Sequence, residues 1–423
     1  MNYNESSRMP PKKEELALYC KLEQLFAFTD FEEPTPCIRF IGVRDEDFNE
    51  QSFTQGSDGV ATFVVDVDAS TSKAPESTEP SRGQSNPNSD LLQIDWNKFC
   101  ETPEDCKTCT EASGLWYKIT YNIDPRGSSS TYATFGATAG TTQSIQVLAI
   151  SSLPGPTPAP FRPYTRRPDS ALQRTYSLLA FEVGQGMCNL ICSDVDGYIF
   201  DAGAGTPITK AKYVSGFMRH DLHDQIQRLP EAVEFFLSHG DQDHWRMLAW
   251  DDRLINKISI FVVPSGMKSI AFFDVKVKPR VRELSSHLPK WQLAPQTYLS
   301  VYRTRPPQKT SNNDGLIAVF ERDGEKAILP GDCTYKEMRK DLDPGVSNLP
   351  SNVYKAVVVP HHGDKESSYD VPPSQANGIA FFSAGNHPTF NHPRPESEAA
   401  HKISGFSNHV NKIPAHIQKI VLL

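Results

Sequence analysis

Short runs in which apolar and β-branched residues alternate with polar ones mark the first third of the chain as strand-forming. They are Cys37-Ile38-Arg39-Phe40-Ile41, Val60 to Val67, Trp116 to Tyr121 and Ser144 to Ile150, separated by Gly, Ser and Asp turn residues. Strands this short, so punctuated, predict a small sandwich. From about residue 171 the pattern changes to compact apolar runs: Tyr176 to Val183, Asn189 to Cys192, Tyr198 to Phe200, Val233 to Leu237, Ile258 to Val263, Gly315 to Phe320, Ala327 to Leu329, Val357 to Val359 and Gly378 to Phe382. Helical or loop segments lie between them, including the polar, helix-compatible stretch Lys210 to Arg228. Such alternation predicts an α/β layered design in which loops at strand ends carry the chemistry.

Two stretches interrupt the pattern. Residues 68–90 are rich in Ser, Pro, Thr and Glu, and residues 151–170 (SSLPGPTPAPFRPYTRRPDS) are rich in proline. The first has too few apolar side chains to offset the entropy of ordering and reads as a disordered insertion; the second reads as an extended, semi-rigid linker. The chain therefore divides into a mostly-β unit over 1–150, a linker over 151–170 and an α/β unit over 171–423. The length of 423 residues agrees with two domains.

The net charge of −8 argues against a surface that grips nucleic acid everywhere, though a local basic groove is compatible with it. No run reaches the eighteen or so apolar residues of a membrane span, and residues 1–20 lack the apolar segment of a secretory signal. A cytoplasmic location and no membrane partner are the expectations, and the eight cysteines fit reduced thiols. Cys100, Cys106 and Cys109 would form a structural zinc site only if Cys20, Cys37 or a histidine supplied a fourth ligand; ordinary thiols are the preferred reading.

The chemistry concentrates at three strand ends. His239-Gly240-Asp241-Gln242-Asp243-His244 places four potential metal ligands within six positions, directly after the apolar run Val233 to Leu237. Pro330-Gly331-Asp332 follows Ala327 to Leu329, and Pro360-His361-His362-Gly363 follows Val357 to Val359. One such cluster is compatible with a solvated polar loop; three after apolar strands point to a metal centre.

At this point residues 175–405 resemble the metallo-β-lactamase superfamily, and more narrowly its ComEC-like branch, the nuclease-type domain of competence DNA-uptake proteins. Glu182 to Gly186 is similar to the opening strand and turn, Phe200-Asp201-Ala202-Gly203 to the strand bearing a bracing Asp, and Ser238 to His244 to the branch's Ser-His-x-Asp-x-Asp-His. Asn312-Asn313 stands where the branch has an asparagine pair, and Ser383-Ala384-Gly385 with His392-Pro393 resembles its last motif. Met187, Trp245-Arg246-Met247 and Asp364 depart from the pattern at positions that bear on substrate rather than on ligands.

The resemblance implies an αββα sandwich behind the mostly-β domain. It also implies two divalent ions, with His239 and Asp241 on one, Asp243, His244 and His361 on the other and Asp332 between. Asp201, Asn313, His362 and Ser383 then surround the ligands. Three carboxylates make such a site hard and anionic, suited to Mn²⁺ as well as Zn²⁺. Two cations about 3.5–4 Å apart share a hydroxide and neutralise both reacting oxygens of a phosphodiester. Phosphodiesterase or nuclease activity is the leading expectation, with Asp243 and His392 as catalytic residues; His392 is favoured over His387 and His362 as the proton donor. Hydrolysis of a non-nucleic ester, lactone or peptide, and a non-catalytic metal-binding recruitment module, are the alternatives.

A basic stretch between Met267 and Thr310, containing Lys276, Lys278, Arg280 and Arg282 with interleaved aromatics, is the candidate surface for a nucleic-acid or nucleotide substrate. A solvated cationic face explains it equally well. The N-terminal β-domain carries no catalytic constellation, which leaves docking to a protein partner as its expected role.

Overall fold

The structure is a computed structural model, and it describes residues 14–30, 35–68, 115–136, 142–170, 172–267, 269–387 and 390–423, without the side chains of Leu25 and Phe26. The thiols Cys100, Cys106 and Cys109 and nearly all of the 68–90 stretch lie outside these residues. Among the described residues no helix is long and apolar enough to cross a membrane.

The N-terminal unit comprises β1 (Leu16–Phe28), β2 (Pro36–Arg44), β3 (Phe63–Asp68), β4 (Trp116–Ile123), β5 (Ser129–Ala133) and β6 (Gln143–Leu153). Instead of the expected sandwich they form a closed barrel in the order β1-β2-β3-β5-β6-β4. Closure is helped by β1, whose register against β2 shifts between Leu22 and Gln24 and again between Gln24 and Ala27, because such irregularities bend and twist a strand. Strand β2 is buried on both faces. Ile38 and Phe40 fill the barrel core with Leu18, Val65 and Ile119, whereas Ile41 and Val43, one residue out of phase, join a core shared with the α/β unit.

That unit begins earlier than residue 171. Strand β7 (Arg162–Pro163) leaves the proline-rich stretch and pairs in parallel with β13, so part of the expected linker is the edge of a sheet. The first sheet contains β7, β8 (Ser177–Phe181), β9 (Cys188–Cys192), β10 (Gly197–Ala202), β11 (Val233–Phe236), β12 (Ile258–Pro264) and β13 (Val281–Leu284). The second contains β14 (Leu288–Ala294), β15 (Thr297–Arg303), β16 (Leu316–Arg322), β17 (Glu325–Leu329), β18 (Tyr354–Val358), β19 (Ser374–Phe382) and β20 (Ser407–Val410). Finally β21 (Lys419–Val421) returns to the first sheet beside β8.

The two sheets face each other across Tyr198, Phe200, Phe236, Val262, Trp291, Val301, Ala318 and Phe320. Alternate residues Ile199 and Phe235 point outward into a second core, where they meet Leu222 and Ile226 of one helix and Leu254 of another. The helices Lys210–Val214 (α1), Asp221–Arg228 (α2), Arg246–Trp250 (α3) and Asp252–Lys257 (α4) belong to this side. Tyr335–Lys340 (α5), Pro344–Ser347 (α6) and Pro395–Ile403 (α7) belong to the other, where Tyr335, Met338 and Val346 pack on Ile317, Ile328 and Val357. This is the αββα sandwich that the resemblance implied, preceded by a β-barrel. The expected helical stretch Lys210 to Arg228 is two helices because Gly216, at φ +76°, breaks it.

Candidate metal centre

Strands β10, β11 and β12 run parallel in the first sheet, and β17, β18 and β19 run parallel in the second. Their carboxyl ends carry the His and Asp clusters, and a hydrogen bond from Leu316 N to Ser238 O, 2.7 Å, ties the two sheets at that edge. Ligands contributed by separate strands thereby meet at one place.

His244 Nε2 lies 3.1 Å from Asp332 Oδ1, His239 Nε2 lies 3.7 Å from Asp332 Oδ2 and 3.3 Å from Asp241 Oδ2, and His361 Nε2 lies 3.8 Å from Asp332 Oδ2. Asp243 Oδ1 is 3.9 Å from His244 Nε2, and Asp243 Oδ2 is 3.0 Å from His362 Nε2. Two groups of side chains are therefore able to hold a cation, His239 with His244 and Asp332, and Asp243 with His244 and His362. His239, His244 and His362 each bury Nε2 against the carboxylates of Asp243 and Asp332, and neither those nitrogens nor Asp332 Oδ1 has any other partner. Several buried polar atoms aimed at one spot are costly unless something binds them, and imidazole nitrogens with carboxylates are a donor set suited to divalent transition metals.

The ring orientations are fixed from behind. Asp201 Oδ2 is 2.8 Å from His244 Nδ1 while its Oδ1 accepts from Ser238 N at 2.7 Å; Ser238 Oγ lies 3.0 Å from both His239 Nδ1 and His244 Nδ1. His361 Nδ1 meets Asp364 Oδ2 at 2.9 Å, and His362 Nδ1 donates to Ser383 O at 2.8 Å. With each Nδ1 so engaged, Nε2 is the free ligand atom. The Ser383 hydroxyl itself donates to Gly186 O, anchoring the opening turn.

Backbone conformation sets this geometry. His361 and His362 both occupy the left-handed region, at φ +47° and +54°, a sparsely populated conformation for a residue with a β-carbon. The two rings diverge as a result, one toward Asp332 Oδ2 and the other toward Asp243. Gly203 passes so close to the metal loop that a β-carbon there would sit 1.5 Å from Asp243 O.

Electrostatics follow from the crowding of opposite charges. Burial disfavours the charged forms, but Asp332 and Asp201 outweigh it at His244, whose pKa stands well above the ordinary histidine value. Against the same burial penalty, Asp332 and Asp364 raise His361 to about 9. Burial also opposes the Asp332 carboxylate, but His244, His362 and His361 hold it well below its ordinary range. A cation bound by this cluster would displace protons from it.

Position bears on several expected roles. His362, expected outside the ligand set, stands against Asp243, with Nε2 3.0 Å from Oδ2, while His361 Nε2 approaches Asp332 Oδ2, the oxygen that His239 Nε2 also approaches. Asn313 turns away: its amide donates to Gln308 O and its oxygen accepts from Thr310 N, so it shapes the loop, and its neighbour Asn312 presents Nδ2 3.2 Å from His361 Nε2. His392 is buried with its ring 5.7 Å from that of His361 and 6.3 Å from that of His362. Its Nδ1 takes the Gln185 amide at 3.2 Å, its Nε2 has no partner, and burial together with His361 and His362 pushes its pKa down to about 3, leaving the ring neutral at pH 7.

The basic stretch is not a groove of free cations. Lys278 is buried, with Nζ on Thr54 O at 2.7 Å and on Ser57 Oγ; Arg280 donates to the carbonyls of Ile255, Ile258 and Lys276; Arg282 donates to Pro279 O and Val281 O; and Lys276 pairs with Asp252. These side chains staple the barrel to the sandwich and tie off strand ends.

The barrel brings to the site contacts that no sequence motif announces. Glu23, half-buried, lies 3.3 Å from Ser269 Oγ, and burial with the nearby Asp241 carboxylate pushes its pKa up to about 8. The Phe28 ring lies edge-on 5.1 Å from His387, which stacks toward Phe390 at 4.4 Å. Nothing in a strand pattern reveals contacts across more than two hundred residues.

Neither a family model nor a curated protein matches the chain. Among solved structures it is similar to CmlA, a diiron β-hydroxylase from Streptomyces venezuelae, with 12% identity over 59% of this chain and 55% of that one and a TM-score of 0.34. It is also similar to Zn²⁺-bound PqqB from Methylobacterium extorquens, with 9% identity over 57% and 99% of the two chains and a TM-score of 0.33, and to a protein of unknown function from Enterococcus faecalis V583, with 11% identity over 44% and 49% and a TM-score of 0.27. The chain spans little more than half the length of CmlA.

Proposed function

We propose that this protein is a two-metal hydrolase that cleaves phosphodiester bonds. The observation that carries the reading is the convergence of three buried imidazole Nε2 atoms, from His239, His244 and His362, on the carboxylates of Asp243 and Asp332. His239, Asp241 and His361 would hold one divalent ion, Asp243, His244 and His362 the other, and Asp332, which approaches both sets, would serve each. Such a pair supplies an activated water and neutralises the entering and leaving oxygens of a phosphodiester.

The chain's own groups complete the site. Asp201, Ser238, Asp364 and the Ser383 carbonyl lock the imidazoles so that no reorientation is needed on binding. The neutral His392 carries its proton on Nε2 when the Gln185 amide donates to Nδ1, and that N–H is a hydrogen-bond donor for a substrate oxygen. Because Lys276, Lys278, Arg280 and Arg282 are committed elsewhere, the reading rests on the metal site rather than on a basic groove. That same commitment favours a second reading, hydrolysis of an uncharged ester or lactone.

The test is turnover of bis(p-nitrophenyl) phosphate and of p-nitrophenyl butyrate by protein loaded with Mn²⁺ or Zn²⁺, with Asp332→Asn as control. Phosphodiester cleavage lost by about a hundredfold or more in the variant is expected. Ester cleavage alone would establish the second reading, and equal rates in wild type and variant would overturn both.

A further inference from the structure

We propose that Arg39 of the barrel is a positioning residue for the metal loop, so that the N-terminal unit, expected as a docking module, is a working part of the metal centre. The inference rests on reading His239 to His244 as that centre.

Arg39 lies on the face of β2 that turns from the barrel toward the sandwich, in phase with Ile41 and Val43, and is fully buried. Its guanidinium makes four hydrogen bonds: Nε to Asp66 Oδ1 at 2.5 Å, Nη2 to Asp66 Oδ2 at 2.7 Å and to Phe28 O at 3.0 Å, and Nη1 to Gln242 Oε1 at 2.8 Å. Gln242 is the residue between Asp241 and Asp243. It is buried and opens the short 3₁₀ turn that ends at His244. The Arg39 contact therefore fixes the turn at the midpoint between ligands of the two proposed ions.

A second contact holds the next step of the loop. Arg246 donates to Asp30 Oδ1 and, at 3.2 Å, to the same Phe28 carbonyl, while Asp30 Oδ2 accepts from Tyr132 OH at 2.7 Å. From the opposite side Met187 N donates to Asp243 O at 2.9 Å. The loop is thus gripped between the barrel and the first sheet.

A buried, bidentate ion pair such as Arg39–Asp66 contributes little net stability compared with apolar residues of the same volume, because desolvation offsets the attraction. What it does provide is a rigid donor fork with one arm left over, and that arm is aimed at the metal loop. Asp241 and Asp243 repel each other across Gln242, so a loop without this anchor would relax away from the geometry that ions require.

The test measures Mn²⁺ affinity and stoichiometry by calorimetry, with circular dichroism as the check on folding. Gln242→Leu keeps the Arg39–Asp66 pair, removes the link and leaves the buried Nη1 of Arg39 without its acceptor. It is expected to remain folded and to bind Mn²⁺ roughly tenfold or more weakly. Gln242→Glu, which restores an acceptor, binds at least as tightly as wild type. The paired change Arg39→Met with Asp66→Leu, which leaves no buried charge alone, weakens binding as Gln242→Leu does, and adding Gln242→Leu to it weakens binding no further. Folded variants with wild-type affinity, or effects that simply add, would overturn the positioning role. Wild-type protein that binds neither Mn²⁺ nor Zn²⁺ would instead remove the metal reading on which the role depends.

Discussion

Asp201 Oδ2 and His244 Nδ1 are joined at 2.8 Å, and this contact decides which imidazole nitrogen faces Asp332. Asp201 itself sits at φ +57°, so the end of β10 is bent to deliver the carboxylate. Asp201→Asn replaces an acceptor-only group with an amide that donates as readily as it accepts, which permits the opposite tautomer with the proton on Nε2. Metal affinity is expected to fall by about 10–100-fold with little loss of secondary structure, read by metal titration against a chelating dye.

The divergence of His361 and His362 makes a separable prediction. His362→Ala is expected to weaken the ion beside Asp243 and His244 and His361→Ala the ion beside His239 and Asp241, each variant retaining about one of two bound metals after dialysis. Elemental analysis of metal content checks this. If His361→Ala left both ions in place while His362→Ala removed both, the division of ligands given above would be wrong.

Lys278 supplies a test of what the basic stretch does. Lys278→Met breaks charge-assisted bonds to Thr54 O and Ser57 Oγ and is expected to cost about 1–3 kcal/mol of stability in urea titration. Binding of single-stranded DNA at low salt should be unchanged. A loss of DNA affinity with unchanged stability would return this residue to the substrate surface.

His401 gives the fold an acid-sensitive point outside the metal cluster. It is fully buried; Nδ1 donates to Ser397 O at 2.8 Å, Nε2 takes Tyr335 OH at 3.2 Å, and burial lowers its pKa to about 4. Since the unfolded chain binds a proton near pH 6.5 and the folded chain near pH 4, stability is full above about 6.5 and declines as pH falls toward 4, by on the order of 3 kcal/mol at most. Chelator-treated wild type and His401→Gln, compared by thermal melts at pH 7 and pH 5, should differ in slope, the variant losing less. Parallel slopes would refute the assignment.

The parts of the molecule legible in the sequence are those encoded by local pattern. Apolar runs ending in His, Asp and Gly located β11, β17 and β18 and the loops after them, because a buried strand and the turn beyond it are both written in consecutive residues. The choice between His361 and His362 was not legible, since it depends on two successive left-handed backbone angles, and that between Asn312 and Asn313 depends on how the loop closes on Gln308 and Thr310. Charge was misleading for Lys278 and Arg280 because the carbonyls that satisfy them come from elsewhere in the chain. Barrel closure and the Arg39–Gln242 link are relations between distant segments, which no periodicity records.

Gly203 shows how narrow the tolerance is. With Asp243 O where a β-carbon would be, Gly203→Ala forces the metal loop outward. The expected result is a folded protein with metal content reduced by half or more, checked by elemental analysis alongside circular dichroism. Normal metal content would mean that the loop yields without harm.

The short pairing of Arg162 and Pro163 with Arg282 and Glu283 has a practical corollary. A fragment trimmed to start at residue 171 would strip β13 of its neighbour and bare the backbone groups of that short edge to solvent, inviting strand exchange between molecules. Material prepared that way would self-associate for reasons unrelated to its chemistry, and expression boundaries for the α/β unit belong upstream of Phe161.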